Sequence, residues 1–293
     1  MGELLALFSA LCFALAGIAV RRGAEEMDRD AGHLLSVLVN AVLNSLALAV
    51  RVAFGPPLTM SLSGLAYFVA GGIFTAFLGR ILWIRSIQHI GPARAGSYKM
   101  AQVVFVLLAG VLLLGEPASW IGLGGAALVL AGLVAISVEQ MKGSSGTGNQ
   151  TGVWYGLASA VSFTVGNLSR KSGMLVWQEA FAGAAIGALV AAAMTLVVPG
   201  AVQRLNEALR EPRSRRGALW FLGTGVATSI SQFSLFMAMG ISPIWVVNLL
   251  AGTEPIIVAL LGLVLLRGRE ILNLRLWTSL GLVTAGIAVI ALR

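Results

Sequence analysis

A few ionisable side chains interrupt long apolar stretches of this sequence, and they are the first candidates for chemistry. Arg80, Lys99 and Glu254 each lie inside a stretch that is otherwise mostly apolar. A buried arginine can bind a carboxylate through two parallel hydrogen bonds, and a buried acid can bind a cation or carry a proton. A structural interpretation stays open, in which the Arg80 side chain extends to the membrane surface and Glu254 pairs with Lys99.

Polar and aromatic side chains recur at helical spacing around these charges, so that each group shares one helix face. A surface that mixes aromatic rings with neutral hydrogen-bonding groups suits small amphiphilic metabolites. Packing between helices through polar side chains is the alternative for each residue. The candidate substrate-binding residues are Arg80, Tyr98, Lys99, Gln102, Ser162, Phe163, Asn167, Ser229, Gln232, Trp245 and Asn248, and Glu254 is the candidate for proton coupling.

The sequence contains no motif for metal binding, nucleotide binding or catalysis. His33 and His89 are far apart and near segment ends, so no metal-ligand spacing is present. No nucleotide-binding loop, Ser/His/Asp arrangement or pair of carboxylates occurs either. We therefore expect no enzyme activity, no metal and no cofactor, and a membrane enzyme or a scaffold is the less favoured class.

The composition identifies the environment of these residues. The chain has 293 residues, 58% of them apolar and 11% charged, and its mean hydropathy is +0.90. A soluble domain is about half apolar and about a quarter charged. The sequence therefore predicts an all-α integral membrane protein. The net charge of +8 does not indicate nucleic-acid binding, because the basic residues are spread over short connections between apolar segments.

Apolar segments of helix length predict ten transmembrane helices. We place them at residues 3–22, 33–53, 64–87, 94–114, 119–138, 152–170, 178–198, 217–239, 243–266 and 275–292.

Most of the loop arginines and lysines fall on one side of this arrangement, in the connections that follow the odd-numbered helices. The other side carries Arg51, Arg170, Lys171 and Arg293. The positive-inside rule then places the arginine-rich connections in the cytoplasm and both termini in the periplasm.

An internal repeat relates the two halves of the chain. Residues 2–23 match residues 152–173 at a constant offset, and the stretch that ends at Gly115-Glu116 matches the one that ends at Arg267-Gly268. The repeat pairs Arg80 with Gln232 and Gln102 with Glu254. Because the unit has an odd number of helices, the second copy is inverted in the membrane. We predict a first five-helix repeat at 1–142, a Gly/Ser-rich linker at 143–151 and a second repeat at 152–293.

Several short motifs resemble one transporter family. Gly91-Pro92 opens the fourth segment, Gly115-Glu116-Pro117 ends it, and Glu254-Pro255 precedes Gly262 in the ninth. With the two five-helix halves, these motifs are similar to those of the EamA-type ten-helix members of the drug/metabolite transporter superfamily, most of all to bacterial exporters of amino acids, including aromatic ones. The chain departs from the pattern at Val103, where the family usually has proline, and at Arg267-Gly268, where it has Gly-Glu. Many members are depicted with cytoplasmic termini, which conflicts with the charge distribution.

The architecture and the resemblance together predict a secondary transporter. We expect it to export amino acids of broad specificity, aromatic ones included, or similar small metabolites across the bacterial inner membrane by alternating access. The alternative is a multidrug exporter of lipophilic cations, for which Glu254 is the one candidate acid. The expected partners are the small-molecule substrate and the lipid bilayer, without nucleic acid, and a monomer is compatible with this prediction.

Overall fold

The computed structural model describes residues 1–90, 92–142, 150–265 and 274–291, and within these ranges every regular element is a helix. The α-helices are α1 (Gly2–Gly23), α2 (Arg29–Phe54), α3 (Leu62–Gly72), α4 (Arg80–Ile90), α5 (Pro92–Lys99), α6 (Ala101–Leu113), α7 (Trp120–Lys142), α8 (Gln150–Val176), α9 (Ala180–Leu196), α10 (Ala201–Arg210), α11 (Ser214–Ile241), α12 (Ile244–Ala251), α13 (Glu254–Leu265) and α14 (Leu274–Ala291). A π-helical segment, Ile73–Gly79, joins α3 to α4.

Each of the ten predicted segments is helical over most of its described residues, and three of them are interrupted. The segment 64–87 comprises α3, the π-helical segment and α4; the segment 94–114 comprises α5 and α6; and 243–266 comprises α12 and α13. Helix α10 is an addition to the prediction, and it bends away from α9 by 88°. Most of the predicted linker lies outside the described residues, while 150 and 151 begin α8.

Length and hydropathy identify four clear membrane spans among the described residues. They are Gly2–Gly23, Arg29–Phe54, Leu62–Ile90 and Ser214–Ile241, and the bent pair α9 and α10 makes a fifth if it is counted as one span. Shorter apolar helices occur in α6, α7, α12–α13 and α14. The chain therefore has the several apolar helices of an integral membrane protein, and the predicted count of ten spans stays a prediction.

Helix α1 illustrates how these helices pack. Its buried face carries Ala6, Ala10 and Ala14, each 0% exposed, whereas Leu4 and Phe8 on the other face are 65% and 47% exposed. A soluble helix has the reverse distribution, with large apolar side chains inside. Small residues let helices in lipid approach closely, and large apolar side chains outside are stable against hydrocarbon.

The helix contacts repeat when the two halves are exchanged. The repeat matches α1 with α8, α2 with α9, and α3–α4 with α11. Helix α1 packs against α11, and α8 packs against α3 and α4; likewise α2 packs against α11, and α9 packs against α3. Two further contacts join matching helices to each other, α2 with α9 and α7 with α14. These contacts are the ones expected if the two halves are related by a two-fold axis.

Two buried phenylalanines occupy matching places in this packing. Phe68 and Phe221 are 0% and 1% exposed, and each ring lies against glycines of two helices from the other half. A Cβ atom on Gly173 would come within 2.5 Å of the Phe68 ring, so only glycine allows this approach. The glycines are Gly173 and Gly183 around Phe68, and Gly23 and Gly32 around Phe221.

The π-helical segment keeps the two halves in register. Gly72 faces Val190 as Gly225 faces Val39, and Ile90 faces Gly152 as Ser242 faces Gly2. The stretch from Gly72 to Ile90 is nevertheless one residue longer than its counterpart in α11. A π-helical turn accommodates one extra residue. Beyond it, Arg80 and Gln232 return to matching positions, as the sequence repeat predicts.

Candidate functional site

Lys99 lies at the centre of a cluster to which both halves contribute. Its Nζ is 4.8 Å from the ring centroid of Trp83 and 4.6 Å from that of Phe163. Glu254 attracts Lys99 electrostatically and Arg80 repels it. An ammonium group over an aromatic face gains from the ring quadrupole. The Lys99 cluster, defined by these five residues, thus offers a carboxyl group, two basic groups and two aromatic faces in one place.

Helix interruptions position the two opposite charges. Helix α5 ends at Lys99, where Met100 forms a turn before α6, and α13 begins at Glu254 after the turn at Gly252-Thr253. The Thr253 hydroxyl donates to the Leu250 carbonyl at 2.6 Å. Interrupted helices present polar backbone and side chains inside a membrane protein, where transporters bind their substrates.

Open space adjoins this cluster. Gly17 in α1 is exposed, and the Oε1 of Glu254, at 4.0 Å, is the one heavy atom that a Cβ on Gly17 would meet. A Cβ on Gly96, one turn before Lys99, would meet no heavy atom within 4 Å. Free space therefore lies beside Glu254 at Gly17, and on the Lys99 helix at Gly96.

Arg80 is held towards α2. One guanidinium nitrogen lies 2.9 Å from Nδ1 of His33, and Asp30 in the first turn of α2 attracts it electrostatically. Arg80 is half-buried, and its guanidinium contacts the His33 ring. The fixed guanidinium adds positive charge beside Lys99.

Ser229 and Gln232 belong to a separate polar network between α2 and α11. Asn40 donates to the Gln232 Oε1 at 3.3 Å and accepts from the Ser229 hydroxyl at 3.0 Å. Asn44 donates to the Asn40 side chain at 2.6 Å. The structure does not bring Ser229 and Gln232 into the Lys99 cluster, and their contacts are those of helix packing.

A third polar contact joins α8 to α12. The Asn167 amide donates to Oδ1 of Asn248 at 2.7 Å, and Asn248 donates to the Ile244 carbonyl at 3.1 Å. Both asparagines are buried. Trp245, on the same short helix, is 0% exposed, and its indole nitrogen donates to the Pro117 carbonyl at 3.4 Å. The asparagine contact lies within the second half of the chain, and the Trp245–Pro117 bond connects the start of α12 to the first half.

The remaining predicted residues have mixed surroundings. Ser162 donates to the Phe74 carbonyl in the π-helical segment at 2.8 Å. Tyr98 packs on Gly156 of α8, where a Cβ would lie 2.8 Å from the Tyr98 Cβ. Gln102 in α6 is half-buried, and its Oε1 has no hydrogen-bond partner among the described residues. Among the α8 and α6 candidates Ser162, Phe163 and Gln102, Phe163 contacts Lys99 through its ring.

A buried ionic contact closes the opposite end of the helices. Both carboxylate oxygens of Glu116 lie 2.7 Å from the Ile244 backbone nitrogen at the start of α12. Lys171 lies 3.5 Å from the same carboxylate and donates to the carbonyls of Met239 and Ser242 at 2.7 and 2.8 Å. A carboxylate at a helix N-terminus meets free N–H groups and the positive end of the helix dipole. We call Glu116, Lys171 and Ile244 the latch.

The backbone before Glu116 aims it at α12. Gly115 has a φ of 62°, in the left-handed region that favours glycine. The Glu116 nitrogen donates to the Gly110 carbonyl at 3.1 Å, which folds the chain back after α6. Gly110 leaves room for the Glu116 side chain, because a Cβ there would lie 3.0 Å from the Glu116 carboxylate.

Two of the predicted surface charges are in fact buried, so that part of the prediction is wrong. Arg170 and Lys171 are 8% and 6% exposed, and α8 continues past them to Val176. The charges were expected to end the span at 170, but carbonyl and hydroxyl acceptors from neighbouring helices let the helix bury them. Their burial leaves fewer charges on that surface, which strengthens the charge asymmetry between the two ends.

The sequence reasoning did not identify His33, Trp83, Asn40, Glu116 or Lys171 as functional candidates. Glu116 had a signal, because an acid after a glycine at a helix end can cap a facing helix. Lys171 also had one, since the repeat continues through Gly173 and implies that the helix does too. Nothing in the local sequence of His33, Trp83 or Asn40 indicates which distant helix they face.

Comparisons with known proteins agree with this architecture. An uncharacterized transporter of Archaeoglobus fulgidus is 25% identical over 91% of this chain and 90% of its own. An uncharacterized protein of Pseudomonas aeruginosa is 32% identical over 44% of this chain, and the match spans 46% of that relative's length. One solved crystal structure matches 99% of this chain and 97% of its own with a TM-score of 0.73 at 19% identity, which shows a shared fold alone. Residues 1–138 match the EamA-like transporter family, and this match supports a membrane transporter of small substrates.

Proposed function

We propose that the chain is a secondary transporter that exports amino acids of broad specificity, or similar small metabolites, across a bacterial inner membrane. It works by alternating access between two inverted five-helix repeats, 1–142 and 152–293, with 143–151 as the linker. The exchangeable helix contacts support this architecture, since each half can adopt the packing that the other half has left.

The Lys99 cluster carries the proposal. Lys99 and Glu254 are opposite charges, and Trp83 and Phe163 flank Lys99 at 4.8 and 4.6 Å. An amino acid has a carboxylate for Lys99, an ammonium group for Glu254 and a side chain for the aromatic faces. All of these groups come from one chain, so a monomer contains a complete site.

A multidrug exporter of lipophilic cations is the second candidate, because Glu254 adjoins open space beside Gly17. Lys99 and Arg80 place two positive charges near that acid. They would repel a permanent cation, whereas a zwitterion supplies a negative group to balance them. The amino acid is therefore the better fit.

Uptake into proteoliposomes tests the proposal. Purified protein is reconstituted, and a panel of labelled amino acids is supplied with and without a pH gradient. We expect saturable uptake that unlabelled amino acids compete. Accumulation of a lipophilic cation, with no uptake of any amino acid, would overturn the proposal in favour of multidrug export.

Two variants connect uptake to the cluster. Lys99→Met removes the carboxylate partner and should raise the KM for amino acids, while Arg210→Met on exposed α10 serves as the matched control. Glu254→Gln removes the titratable oxygen and should abolish the response to the pH gradient if this acid couples transport to protons; Glu207→Gln is its control. Unchanged kinetics in Lys99→Met would show that the cluster does not bind substrate.

A further inference from the structure

Arg170 is a buried charge outside the Lys99 cluster. Its side chain is 8% exposed, and its Nε has no hydrogen-bond partner. One terminal nitrogen donates to the Thr75 hydroxyl at 2.6 Å, and the guanidinium carbon lies 5.6 Å from the Phe236 ring centroid. Among the described acidic residues, none forms an ion pair with it.

A guanidinium in this state is costly. A charge inside a membrane protein is normally paired with an opposite charge, and leaving it unpaired destabilises the fold. A hydroxyl and an aromatic face orient the group without neutralising it. In the sequence repeat Val20 stands where Arg170 stands, so the matching position in the first half needs no charge. An anion is the partner that would neutralise Arg170.

The surroundings of Arg170 form a built site. Thr75 belongs to the π-helical segment, and its hydroxyl donates to the Gly71 carbonyl at 2.7 Å, which leaves its lone pairs for Arg170. A Cβ on Gly71 would lie 2.7 Å from the Arg170 Cγ, so this glycine makes room for the stem. Inserted π-helical turns occur often at functional sites.

The same face of α8 connects Arg170 to the Lys99 cluster. Phe163, Asn167 and Arg170 follow one another at helical spacing, so they share one face. Seven residues of helix separate Phe163 from Arg170 by about 10 Å, the length of a small amphiphilic molecule. Side chains on a helix incline towards its N-terminus. The Arg170 side chain therefore inclines from the latch towards Asn167 and Phe163.

We propose that Arg170, oriented by Thr75 and Phe236, binds the carboxylate of the transported molecule in the occluded state, after the molecule leaves Lys99. This inference rests on the proposed function and deepens it, because it makes a carboxylate an obligatory feature of the substrate. Thr75 acts as a positioning residue. The bound carboxylate supplies the counter-charge that the described residues lack.

Exchange in proteoliposomes with matched substrate pairs tests this. The pairs are phenylalanine with phenethylamine and leucine with isopentylamine, which differ by the carboxylate. The wild-type protein should exchange the amino acids much faster than the amines, because an amine leaves the Arg170 charge unpaired. In Arg170→Met the ratio of the two rates should fall by about 10- to 100-fold, since a charge-assisted hydrogen-bonded pair is lost.

Stability and two further variants separate binding from folding. Arg170→Met should melt at the same temperature as the wild type or higher, because a buried unpaired charge is removed. Thr75→Val keeps the shape of the side chain and should lower the ratio of amino-acid to amine exchange rates by a few-fold. Arg170→Lys keeps a positive charge and should retain part of the preference for amino acids. Arg210→Met is the control and should change nothing.

The outcomes are distinguishable. If the wild type exchanges no amino acid, the proposed function and this inference both fail. If the wild type exchanges amino acids and Arg170→Met keeps the full preference for them over amines, only the role of Arg170 is wrong. A strongly lowered melting temperature for Arg170→Met, together with an unchanged rate ratio, would assign Arg170 to the structure alone.

Discussion

The two ends of the helix bundle are built from matching segments but are held together differently. The latch end contains Gly2 beside Ser242, the Arg51–Glu179 pair and the latch itself. The arginine-rich end, with residues 21–33, 80–99 and 198–216, contains the Lys99 cluster and the open space beside Gly17 and Gly96. One end holds a buried pair of charges, and the other has charged groups beside open space.

The difference is already present in the residues that the repeat matches. Lys171 corresponds to Arg21, which is exposed, and Glu116 corresponds to Gly268, which has no side chain to cap a helix. The Glu116 and Lys171 pair therefore has no counterpart at the matched positions. Helix contacts that match at the two ends thus leave local charges to set the relative free energies of the ends. The state with a closed latch end should be the more stable one.

Removing the latch carboxylate should have the largest effect on this difference. Glu116→Ala leaves the Ile244 N–H and the Lys171 ammonium without their partner in a place where the two charged side chains are 8% and 7% exposed. Breaking a buried ion pair costs about 3–5 kcal/mol. We expect a lower melting temperature in detergent and a shift of the population away from the closed latch end.

Cysteine labelling measures that shift. Cys12 is replaced by serine, and Ser242, which is 7% exposed at the latch end, is replaced by cysteine. A membrane-impermeant thiol reagent should label residue 242 slowly in this background and faster when Glu116→Ala is added. Equal labelling rates with and without Glu116→Ala would show that the latch does not hold this end closed; Glu207→Ala is the control.

A double-mutant cycle sharpens the assignment to the pair. Lys171→Met removes the ammonium that Glu116, Met239 and Ser242 share. If the two charges act as a unit, the double variant Glu116→Gln/Lys171→Met should be more stable than the sum of the single changes predicts, by about 0.5–3 kcal/mol. If the changes in the free energy of unfolding are additive, each residue acts through its backbone contacts alone.

The glycine contacts test how closely the two halves match in packing. Gly173→Ala would place a methyl group 2.5 Å from the buried Phe68 ring and should destabilise the protein by about 1–3 kcal/mol, as overpacking does. Gly23→Ala, beside Phe221 in the other half, should behave alike. Gly187→Ala is the matched control, since a Cβ there meets no heavy atom within 4 Å and alanine favours a helix. A neutral Gly173→Ala would mean that this packing is loose.

The helical segments could be predicted because each is an apolar stretch of the right length. The interruption at Met100 could not, since no proline or glycine marks it, whereas the turn at Gly252-Thr253 had a signal in Pro255, which cannot donate a helical hydrogen bond. Hydropathy likewise does not reveal that α10, with its polar face and its apolar face, turns aside from α9. The one-residue π-helical insertion is visible only when the contacts of Gly72 and Gly225 are compared in space.

The charged residues of the candidate site could be predicted from the sequence, but which candidates lie together in space could not. Arg80, Lys99 and Glu254 were candidates because polar groups in apolar stretches are expensive, and Phe163 because it shares a helix face with polar residues; the structure brings the four together. Ser229 and Gln232 met the same criterion, but Asn40 of α2 binds them both instead. Arg170 was taken for a surface charge, because a sequence pattern does not show that a distant hydroxyl such as that of Thr75 will receive it.

The Arg51–Glu179 pair is the tie at the latch end that should matter least. The guanidinium lies 2.7 Å from the Glu179 carboxylate, but the two side chains are 16% and 19% exposed, and Arg51 keeps a second bond to the Pro56 carbonyl. Ion pairs near the surface contribute about 1 kcal/mol or less and are weakened by salt. Glu179→Gln should therefore lower the melting temperature slightly at low ionic strength and leave it unchanged at high ionic strength, whereas the effect of Glu116→Ala should persist in salt. An effect of Glu179→Gln as large and as salt-resistant as that of Glu116→Ala would mean that the whole latch end, and not its buried carboxylate, holds the bundle closed.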